Sequence, residues 1–559
     1  MITADHVETQ PESAGPWLSG LARNWQPILL LLLIYSGSFL ILGSALRIQY
    51  GFPLDDSYIH QTVARNFAHY DVLGFIPGKP SSGATSLIWA CLQASNYKFL
   101  HIDPVKFNFV FSWIMLALIG PLLFILSSRD GMPPLASFVL AASPALCGNF
   151  LWLGLIGMEH LLFIVLVLIS IYFWFELGPH RRRNALLAGL SAGLLAITRP
   201  EAMVFGALLA IIGWKLRRTL SEVVSALAVW FLFLIVLFAT NFYTSHSFMP
   251  ATLKGRTWLY FHTSGGPHTV HSMIRFLGAW IQRLPRQFST KYVQQMQSIG
   301  EVHGSFALFG FLLFALAALG VYALVSRRIP RVSFLFLWAV LHSCIYLLTF
   351  PTGGHGGRYQ PLNLLLLFPC LFFGLLWLLN KIDRAHARRT ATVAVVALLV
   401  AGTASLRTWR TVTIDGIAHI NNTHGKMALW MVQNLPPNAD EVAAFDIGRI
   451  SYGWGRPILD LGGLVDPAYV PYLTSGHIPE YLREHRVEYV VLPSKAADEF
   501  GFTHNPTLTM TKLSEFCSPY DPWIIGFRYT IHAMQCQELY QLHYNDPAQQ
   551  QVVASNPEM

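Results

Sequence analysis

Two adjacent carboxylates stand just beyond the end of a long apolar segment. Asp55 and Asp56 lie at the start of LDDSYIHQTVARNFA (54–68), a few residues after the apolar run 27–47. One aspartate is enough to cap the helix that this stretch predicts. A second carboxylate beside it is repelled unless a proton, a metal ion or another cation lies close. The pair alone therefore leaves two interpretations open, a helix cap or a reactive site.

Further charged residues occur at the ends of other apolar segments. Glu159 stands in GMEHLLF (157–163), where a charge is costly and usually has a partner or a function. Arg358 and Tyr359 lie in GGHGGRYQP (353–361), whose four glycines let the backbone approach a ligand closely. These residues are candidates for one pocket that also contains the aspartate pair.

Three more cations belong to the same set of loops. Arg199 precedes Glu201 in TRPEA (198–202), and Lys254 and Arg256 stand in PATLKGR (250–256). Each cation alone is explained by a side chain that snorkels at the end of a span. For Glu201 we expect a local ion pair with Arg199 that braces a tight turn. Acids and bases on separate loops at one depth of the membrane, however, could surround a single pocket.

This set of groups suits a transfer reaction from a lipid phosphate. A carboxylate can take the proton of an attacking hydroxyl group. Arginine and lysine can hold the leaving phosphate, arginine through paired N–H bonds and lysine as a point charge. The sequence has no glycine-rich phosphate loop of the Walker type, which is consistent with a site that does not use ATP.

The composition is that of a membrane protein. Of the 559 residues, 53% are hydrophobic and 12% are charged, about half the charged fraction of a soluble domain. The net charge of +8 would suit nucleic acid, but the basic residues cluster in short loops between apolar runs, as cytoplasmic loops do. We therefore expect a membrane lipid environment and no nucleic acid.

Eleven apolar segments predict membrane spans. They lie near 27–47, 107–126, 134–150, 156–176, 184–198, 201–214, 221–240, 304–325, 333–350, 361–380 and 391–406. The basic loops alternate correctly as cytoplasmic, which predicts a bacterial inner-membrane protein. The first segment is longer than the apolar core of a signal peptide, so we expect a retained span, although Gly43-Ser44-Ala45 keeps a cleaved signal open.

The topology predicts three parts. Residues 1–26 form a cytoplasmic tail, residues 27–406 a transmembrane domain with catalytic outer loops at 48–106 and 241–303, and residues 407–559 an extracytoplasmic α/β domain. Strands are expected at 441–448, 457–463 and 487–493, with helices at 425–435 and 479–486. Cys517 and Cys536 both lie in this domain, and an extracytoplasmic position would allow a disulfide between them.

Several motifs resemble the bacterial GT-C membrane glycosyltransferases. LDDSYIHQTVARNFA followed by GFIPGKPSSGATSLIW (74–89) is similar to their first outer loop, and GMEHLLF, TRPEA, PATLKGR and GGRYQPL (356–362) follow in the family's order. The resemblance covers most of residues 50–365 and is strongest to the group of the mycobacterial terminal arabinofuranosyltransferase. DIGRISY (446–452) and ILDLGGLVDP (458–467) are similar to the outer domain of such proteins.

The resemblance implies a GT-C fold of about 11 transmembrane helices and an inverting transfer from a polyprenyl-phosphate sugar to an envelope glycan or lipid acceptor. By position, Asp55 matches the catalytic base, Asp56 supports it or binds a divalent ion, and Glu159 is a second acid. The donor-phosphate side would comprise Lys254, Arg256, Arg358, Tyr359 and Arg199, and the acceptor pocket His60 and His355.

Two questions remain open at the level of the sequence. Asp55, Asp56 and Glu159 offer hard oxygen ligands for Mg²⁺, Mn²⁺ or Ca²⁺, but an acid pair that acts without metal is equally permitted. A transporter or flippase of a lipid-linked sugar is the alternative function. Transporters place ionisable groups near the membrane midplane and often show internal repeats, and neither feature is apparent here.

Overall fold

The structure is a computed structural model of the 559-residue chain. It describes residues 25–250, 252–253, 255–258, 269–288, 304–383, 386–439, 442–466, 468–494, 496–518 and 536–545. Lys254, which the resemblance places at the donor phosphate, and nearly all of the predicted tail 1–26 lie outside these residues.

Apolar helices form the first part of the chain. They are α1 Trp25–Gly43, α2 Asp55–Tyr70, α3 Leu87–Ser95, α4 Pro104–Arg129, α5 Pro134–Ala142, α6 Gly148–Trp152, α7 His160–Phe175, α8 Arg181–Thr198, α9 Phe205–Lys215, α10 Leu220–Ser245, α11 Val270–Arg286, α12 Gly304–Val325, α13 Pro330–Thr349, α14 Pro361–Ile382 and α15 Ala387–Ile420. Each of the eleven predicted spans overlaps at least one of these helices. Seven helical stretches of the described chain are long and apolar enough to cross a membrane, those that contain α1, α4, α10, α12, α13, α14 and α15. The expected polytopic helical architecture is therefore confirmed.

The two ends of the helical bundle differ in chemistry. The 20 residues of α13 place its ends about 30 Å apart. At its first turn Arg331 donates to Asp130 and to Glu176, each across 3.1 Å, and so ties three basic loops together. Near its last turn Tyr346 contacts Arg199 from the turn after α8. The predicted cytoplasmic cations and the predicted pocket residues thus lie at opposite ends of the same helices.

Helix α2 packs in a way that its sequence did not predict. In the sequence, Ile59, Val63 and Phe67 recur every four residues, which predicts an interfacial helix with its apolar face toward lipid or the helical bundle. Ile59 and Val63 are instead buried in one apolar cluster with Met427 and Ile447 of the C-terminal part. This prediction was wrong because periodicity shows that a helix face is buried but does not show which element covers it.

The C-terminal part is an α/β domain, as predicted. Helix α15 continues through a π-helical turn, Asn421–Gly425, into this domain. The elements are α16 Lys426–Asn434, β1 Val442–Ala444, α17 Ile447–Trp454, β2 Leu459–Asp460, α18 Val470–Ser475, α19 Ile478–Glu484, β3 Tyr489–Pro493, α20 Ala496–Glu499, β4 Leu508–Cys517 and β5 Cys536–Tyr544. The sheet order is β2-β1-β3-β5-β4, with β1 parallel to β2 and β3 and with β5 antiparallel to β3 and β4.

The last two strands were not predicted from the sequence. Their long antiparallel pairing ends at Cys517 and Cys536, which are direct register partners. These two cysteines form a disulfide, so the pairing considered from the sequence is present in the structure.

Candidate active site

Asp56 lies in the first turn of α2 and faces two guanidinium groups from distant parts of the chain. Arg256 Nη2 donates to Asp56 Oδ2 across 2.9 Å, and Arg358 Nη2 donates to the same oxygen. The side chain of Arg358 is 1% exposed. Burial would raise the pKa of Asp56, but the charges of Arg256 and Arg358 outweigh it and hold this pKa well below its usual range. The carboxylate is therefore ionised and held by two cations of the kind that bind phosphate.

The ring of Tyr359 lies beside three guanidinium groups. Its centroid is 5.3 Å from the central carbon of Arg358, 5.8 Å from that of Arg199 and 6.0 Å from that of Arg256. Arg256 Nη1 also donates to the Tyr359 hydroxyl. The ring stacks on Tyr346, with centroids 5.6 Å apart and planes inclined by 14°. Because aromatic rings attract cations at this range, Tyr359 stabilises the cluster of three arginines.

Arg199 is neutralised by acids of its own neighbourhood. Its Nε donates to Glu201 Oε1 across 2.6 Å, its Nη1 to Glu159 Oε1 across 3.2 Å, and its Nη2 to the Tyr346 hydroxyl across 2.7 Å. The local pair with Glu201 that the sequence suggested is thus present. A phosphate at Arg199, as the resemblance implies, would have to compete with two carboxylates.

Glu159 keeps one carboxylate oxygen without a hydrogen bond. Glu159 Oε2 and His60 Nδ1 are buried and have no hydrogen-bond partner in the described part of the chain. His60 Nε2 lies 3.9 Å from Glu159 Oε2. Buried polar atoms without partners are rare in folded proteins. These two atoms are therefore candidates to bind the hydroxyl groups of a ligand.

A cavity of about 280 Å³ joins these groups. Its charged and polar lining includes Asp56, His60, Glu159, Arg199, Glu201, Arg256, Tyr346, Arg358 and Tyr359. Its apolar lining includes Ile59, Met158, Met203, Met249, Leu253, Ile345, Phe350 and Leu464. Since Leu464 belongs to the C-terminal domain, the cavity lies where that domain meets the outer loops and the ends of the membrane helices.

Asp55 does not line the cavity and contacts the C-terminal domain instead. Its Oδ2 accepts from Gly448 N across 2.8 Å and its Oδ1 from Arg449 N across 2.7 Å. Burial raises the pKa of Asp55 to about 6, while the hydrogen bonds from the amides of Arg449 and Gly448 oppose this rise. Asp55 thus caps the first turn of α17 from another part of the chain. Its predicted role as the catalytic base stays a prediction.

The remaining predicted residue, His355, lies in the short turn His355–Gly357 and is not part of the cavity lining. Burial, with a further contribution from the charge of Arg358, lowers the pKa of His355 to about 3. The ring is therefore neutral at physiological pH.

Sequence reasoning missed two buried arginines on α11. Arg283 Nη2 donates to the Gly354 carbonyl across 2.9 Å. Arg286 Nε and Nη2 have no hydrogen-bond partner among the described residues. The available signal was a strongly amphipathic helix with bases in its last turn, a pattern that is usually read as a solvated face.

The three acids considered as metal ligands are held by different partners. Asp55 binds backbone amides of α17, whereas Asp56 and Glu159 each pair with arginine. Of the described residues, two other groupings have the spacing of metal ligands. One is Asp55, His424 and Asp446, and the other is Glu515 with the disulfide-bonded Cys517 and Cys536. The set Asp55, Asp56 and Glu159, which the sequence suggested as ligands of one ion, is not one of these two groupings.

Comparison with solved structures places the fold. The chain is similar to the Archaeoglobus fulgidus oligosaccharyltransferase in its apo form, with a TM-score of 0.54 and 14% identity over 86% of this chain and 70% of that one. It is similar to AglB, the oligosaccharyltransferase of the same archaeon, in complex with an inhibitory peptide and a dolichol-phosphate, with a TM-score of 0.51 and 12% identity over 85% and 70%. It is also similar to apo ArnT from Cupriavidus metallidurans, with a TM-score of 0.52 and 10% identity over 93% and 98%. These likenesses show a GT-C fold.

Comparison of sequences adds less. A family described as "Domain of unknown function (DUF8728)" matches residues 386–541, which is the C-terminal part of the chain. No curated protein matches the sequence. The resemblance to the mycobacterial arabinofuranosyltransferase group therefore stays a prediction.

Proposed function

We propose that this protein is a membrane glycosyltransferase that moves a sugar from a polyprenyl-phosphate donor to an envelope glycan or lipid acceptor. The observation that carries this proposal is the carboxylate of Asp56 on two arginines, Arg256 and Arg358, in a cavity with apolar walls at one end of the membrane helices. The GT-C fold agrees with it, since the similar structures are named as an oligosaccharyltransferase and as ArnT.

The two arginines are the donor-phosphate site of this proposal. Asp56 supplies the anion that both guanidinium groups need, and Tyr359 supports them from the side. A donor phosphate takes over part of these hydrogen bonds, because arginine binds phosphate through the same paired N–H geometry. The polyprenyl tail lies along the apolar lining, which includes Met249 and Leu253.

Asp56 is the general base that the geometry favours, because a donor phosphate that takes over its two arginines returns the pKa of this carboxylate toward its ordinary range. The acceptor hydroxyl attacks the anomeric carbon, its proton passes to the Asp56 carboxylate, and the bond from that carbon to the phosphate oxygen breaks. The polyprenyl phosphate leaves with the electron pair of this bond, and a single displacement inverts the anomeric configuration. The motif assigned this role to Asp55, but only Asp56 of the pair lines the cavity.

Glu159 and His60 orient the acceptor or the sugar in this scheme. Glu159 Oε2 and His60 Nδ1 can each bind a hydroxyl group, since both are buried in the cavity wall without a partner among the described residues.

The cavity and the C-terminal domain face the extracytoplasmic side of a bacterial inner membrane in this proposal. The basic loops at the other end of α13, including Arg331, support that orientation. The disulfide between Cys517 and Cys536 supports it too, since disulfides persist in oxidising compartments.

The test uses a strain that lacks the protein and is complemented with variants of the full-length chain. Mass analysis of the envelope glycans should show a missing sugar in the deletion strain and its return with the wild-type protein. Asp56→Asn should fail to restore the sugar, because loss of a general base lowers the rate by about 100–10,000-fold. Asp55→Asn should restore at least part of it. Full restoration by membrane-inserted Asp56→Asn would contradict the assigned base, and unchanged glycans in the deletion strain would contradict the transferase itself.

A further inference from the structure

Asp446 occupies the position of a helix cap but does not cap its helix. It is the N-cap residue of α17, yet its side chain makes no capping hydrogen bond. The amides of Gly448 and Arg449 are bound instead by Asp55 from the first outer loop. Aspartate is among the best capping residues. Contacts other than helix capping therefore hold the carboxylate of Asp446 away from its own helix.

That carboxylate faces a histidine whose ring orientation is fixed. His424 Nε2 lies 3.6 Å from Asp446 Oδ2. The hydroxyl of Thr423 donates to the His419 carbonyl across 2.6 Å and lies 2.8 Å from His424 Nδ1. Since the hydroxyl proton is used in that bond, Thr423 Oγ1 accepts a hydrogen bond from the N–H group of His424 Nδ1. The other ring nitrogen, Nε2, then presents a lone pair toward the carboxylate.

Gln537 on β5 completes the cluster. Its side-chain nitrogen lies 2.7 Å from Asp446 Oδ2 and 3.2 Å from His424 Nε2. It therefore lies between a carboxylate oxygen and a ring nitrogen that both present lone pairs. The residue is fully buried, and its Oε1 has no hydrogen-bond partner in the described chain. The oxygen and nitrogen of a glutamine amide are distinguished only by their hydrogen bonds. A rotated amide would turn this unpartnered oxygen toward the same point.

We propose that Asp55, Asp446 and His424, with Gln537 as a fourth ligand, form a binding site for a divalent transition-metal ion that fastens the first outer loop to the C-terminal domain. The three ligand atoms lie within 4.8 Å of one another. Two ligands of a tetrahedral ion with bonds of about 2.1 Å lie about 3.4 Å apart, so the most distant pair closes by at most about 1.4 Å. One imidazole with oxygen ligands suits Mn²⁺ or Zn²⁺ better than Ca²⁺. The π-helical turn that carries His424 is a type of turn that occurs often at functional sites.

The proposed ion binds at a different position from an ion shared by Asp56 and Glu159, and its role is to join two parts of the chain. It neutralises two carboxylates that would otherwise repel each other at the junction of two parts of the chain. It also holds Asp55, and through the chain it positions the adjacent Asp56.

The test measures metal content and does not depend on transferase activity. The full-length protein in detergent is stripped with a chelator, dialysed against manganese or zinc, and examined by elemental mass spectrometry and thermal unfolding. The wild type should hold close to one ion per chain and should unfold at a higher temperature with metal than without it. Asp446→Asn and His424→Gln should lose the ion. Glu515→Gln should keep it, as a change in the other acid-containing grouping.

One further variant covers the case in which these substitutions prevent folding. Gln537→Glu preserves the shape of the side chain and adds a carboxylate. With a metal site it should bind the ion at least as tightly as the wild type and show a larger stabilisation by metal. Without a metal site it adds a third buried carboxylate, so it should unfold at a lower temperature whether metal is present or not. Three results would overturn the proposal. They are a Gln537→Glu variant that is destabilised with and without metal, a wild type without bound metal, and equal metal content in all variants.

Discussion

Arg256 and Asp56 are 200 residues apart in the chain, and their side chains meet across 2.9 Å. Arg358 binds the same carboxylate oxygen from a third region, a glycine-rich loop after α13. One carboxylate therefore joins the first outer loop, the segment after α10 and the loop before α14. This contact is the centre of the candidate active site, and the first two predictions below follow from it.

Conservative changes of these arginines should weaken the binding of a lipid phosphate. Arg256→Lys and Arg358→Lys keep the charge but lose the paired N–H geometry. A hydrogen bond to a charged group contributes about 1.5–3 kcal/mol, so affinity should fall by about 10–100-fold. A short-chain polyprenyl phosphate, measured by native mass spectrometry, is a suitable probe. Arg410→Lys is the control, since Arg410 contacts Ser44 and not the cavity. Unchanged affinity in both variants would contradict the phosphate site.

The substitution Gly255→Ala should disturb the candidate active site, although Gly255 does not line the cavity. A Cβ there would lie 2.0 Å from the carbonyl oxygen of Gly463 in the C-terminal domain. The segment that carries Arg256 would have to move, and a shift of about 1 Å in a positioned group can cost about 100-fold in rate. Gly278→Ala on α11 is the matched control, because nothing lies within 4 Å of its added atom. Phosphate binding and sugar transfer should fall only in Gly255→Ala, and equal behaviour of the two variants would show that the close contact is unimportant.

Removal of Arg199 should lower the free energy of unfolding more than removal of the Glu159 charge. Arg199→Met leaves two acids, Glu159 and Glu201, without their cation at 1% and 15% exposure. Breaking a buried pair in this way costs about 3–5 kcal/mol. Glu159→Gln should cost less, since Arg199 keeps Glu201. Thermal unfolding in detergent measures the order of stability of these variants. Arg183→Gln is the control, because Arg183 is exposed. A larger loss in Glu159→Gln would contradict the network described here.

The stability of the protein should fall at acidic pH partly through Glu201. Burial would raise the pKa of Glu201, but the charge of Arg199 outweighs it and the pKa lies below its usual range. A carboxyl group with a lowered folded pKa stabilises the protein fully above its unfolded pKa of about 4.3 and loses this contribution as the pH falls toward the folded pKa. Glu201→Gln should therefore be less stable than the wild type at neutral pH, and the difference should shrink as the pH is lowered from about 4 toward 2. A difference that grows with acidification would show the opposite sign of shift.

The disulfide gives a test of compartment. The chain has 6 cysteines, of which Cys91, Cys147, Cys344 and Cys370 are free. Alkylation of the denatured protein without reduction should therefore add four labels, and reduction should make six sites available. Cys517→Ser with Cys536→Ser should lower the free energy of unfolding of the C-terminal domain by about 2–4 kcal/mol. Six labels before reduction in protein isolated under acid quench would contradict the extracytoplasmic placement of this domain.

Much of the architecture could be predicted from the sequence. Apolar runs of about 20 residues demand helices in a membrane, since only a helix satisfies their backbone groups there. Basic loops predicted which helix ends lie together, and Arg331 is found with Asp130 and Glu176 at one of those ends. The motifs also marked Arg256 and Arg358, because charged residues beside glycines at the end of a span are unusual.

Tertiary structure decided how the aspartate pair is used. Neighbouring residues of a helix point about 100° apart, so the two carboxylates of α2 leave the helix in different directions. Asp55 meets the amides of Gly448 and Arg449, and Asp56 meets Arg256. Neither contact is written in the local sequence, because the partners of Asp55 lie nearly 400 positions further along the chain and Arg256 lies 200 positions from Asp56. The sequence alone determined that two acids stand at this helix start, and long-range packing decided that one lines the cavity while the other holds the C-terminal domain.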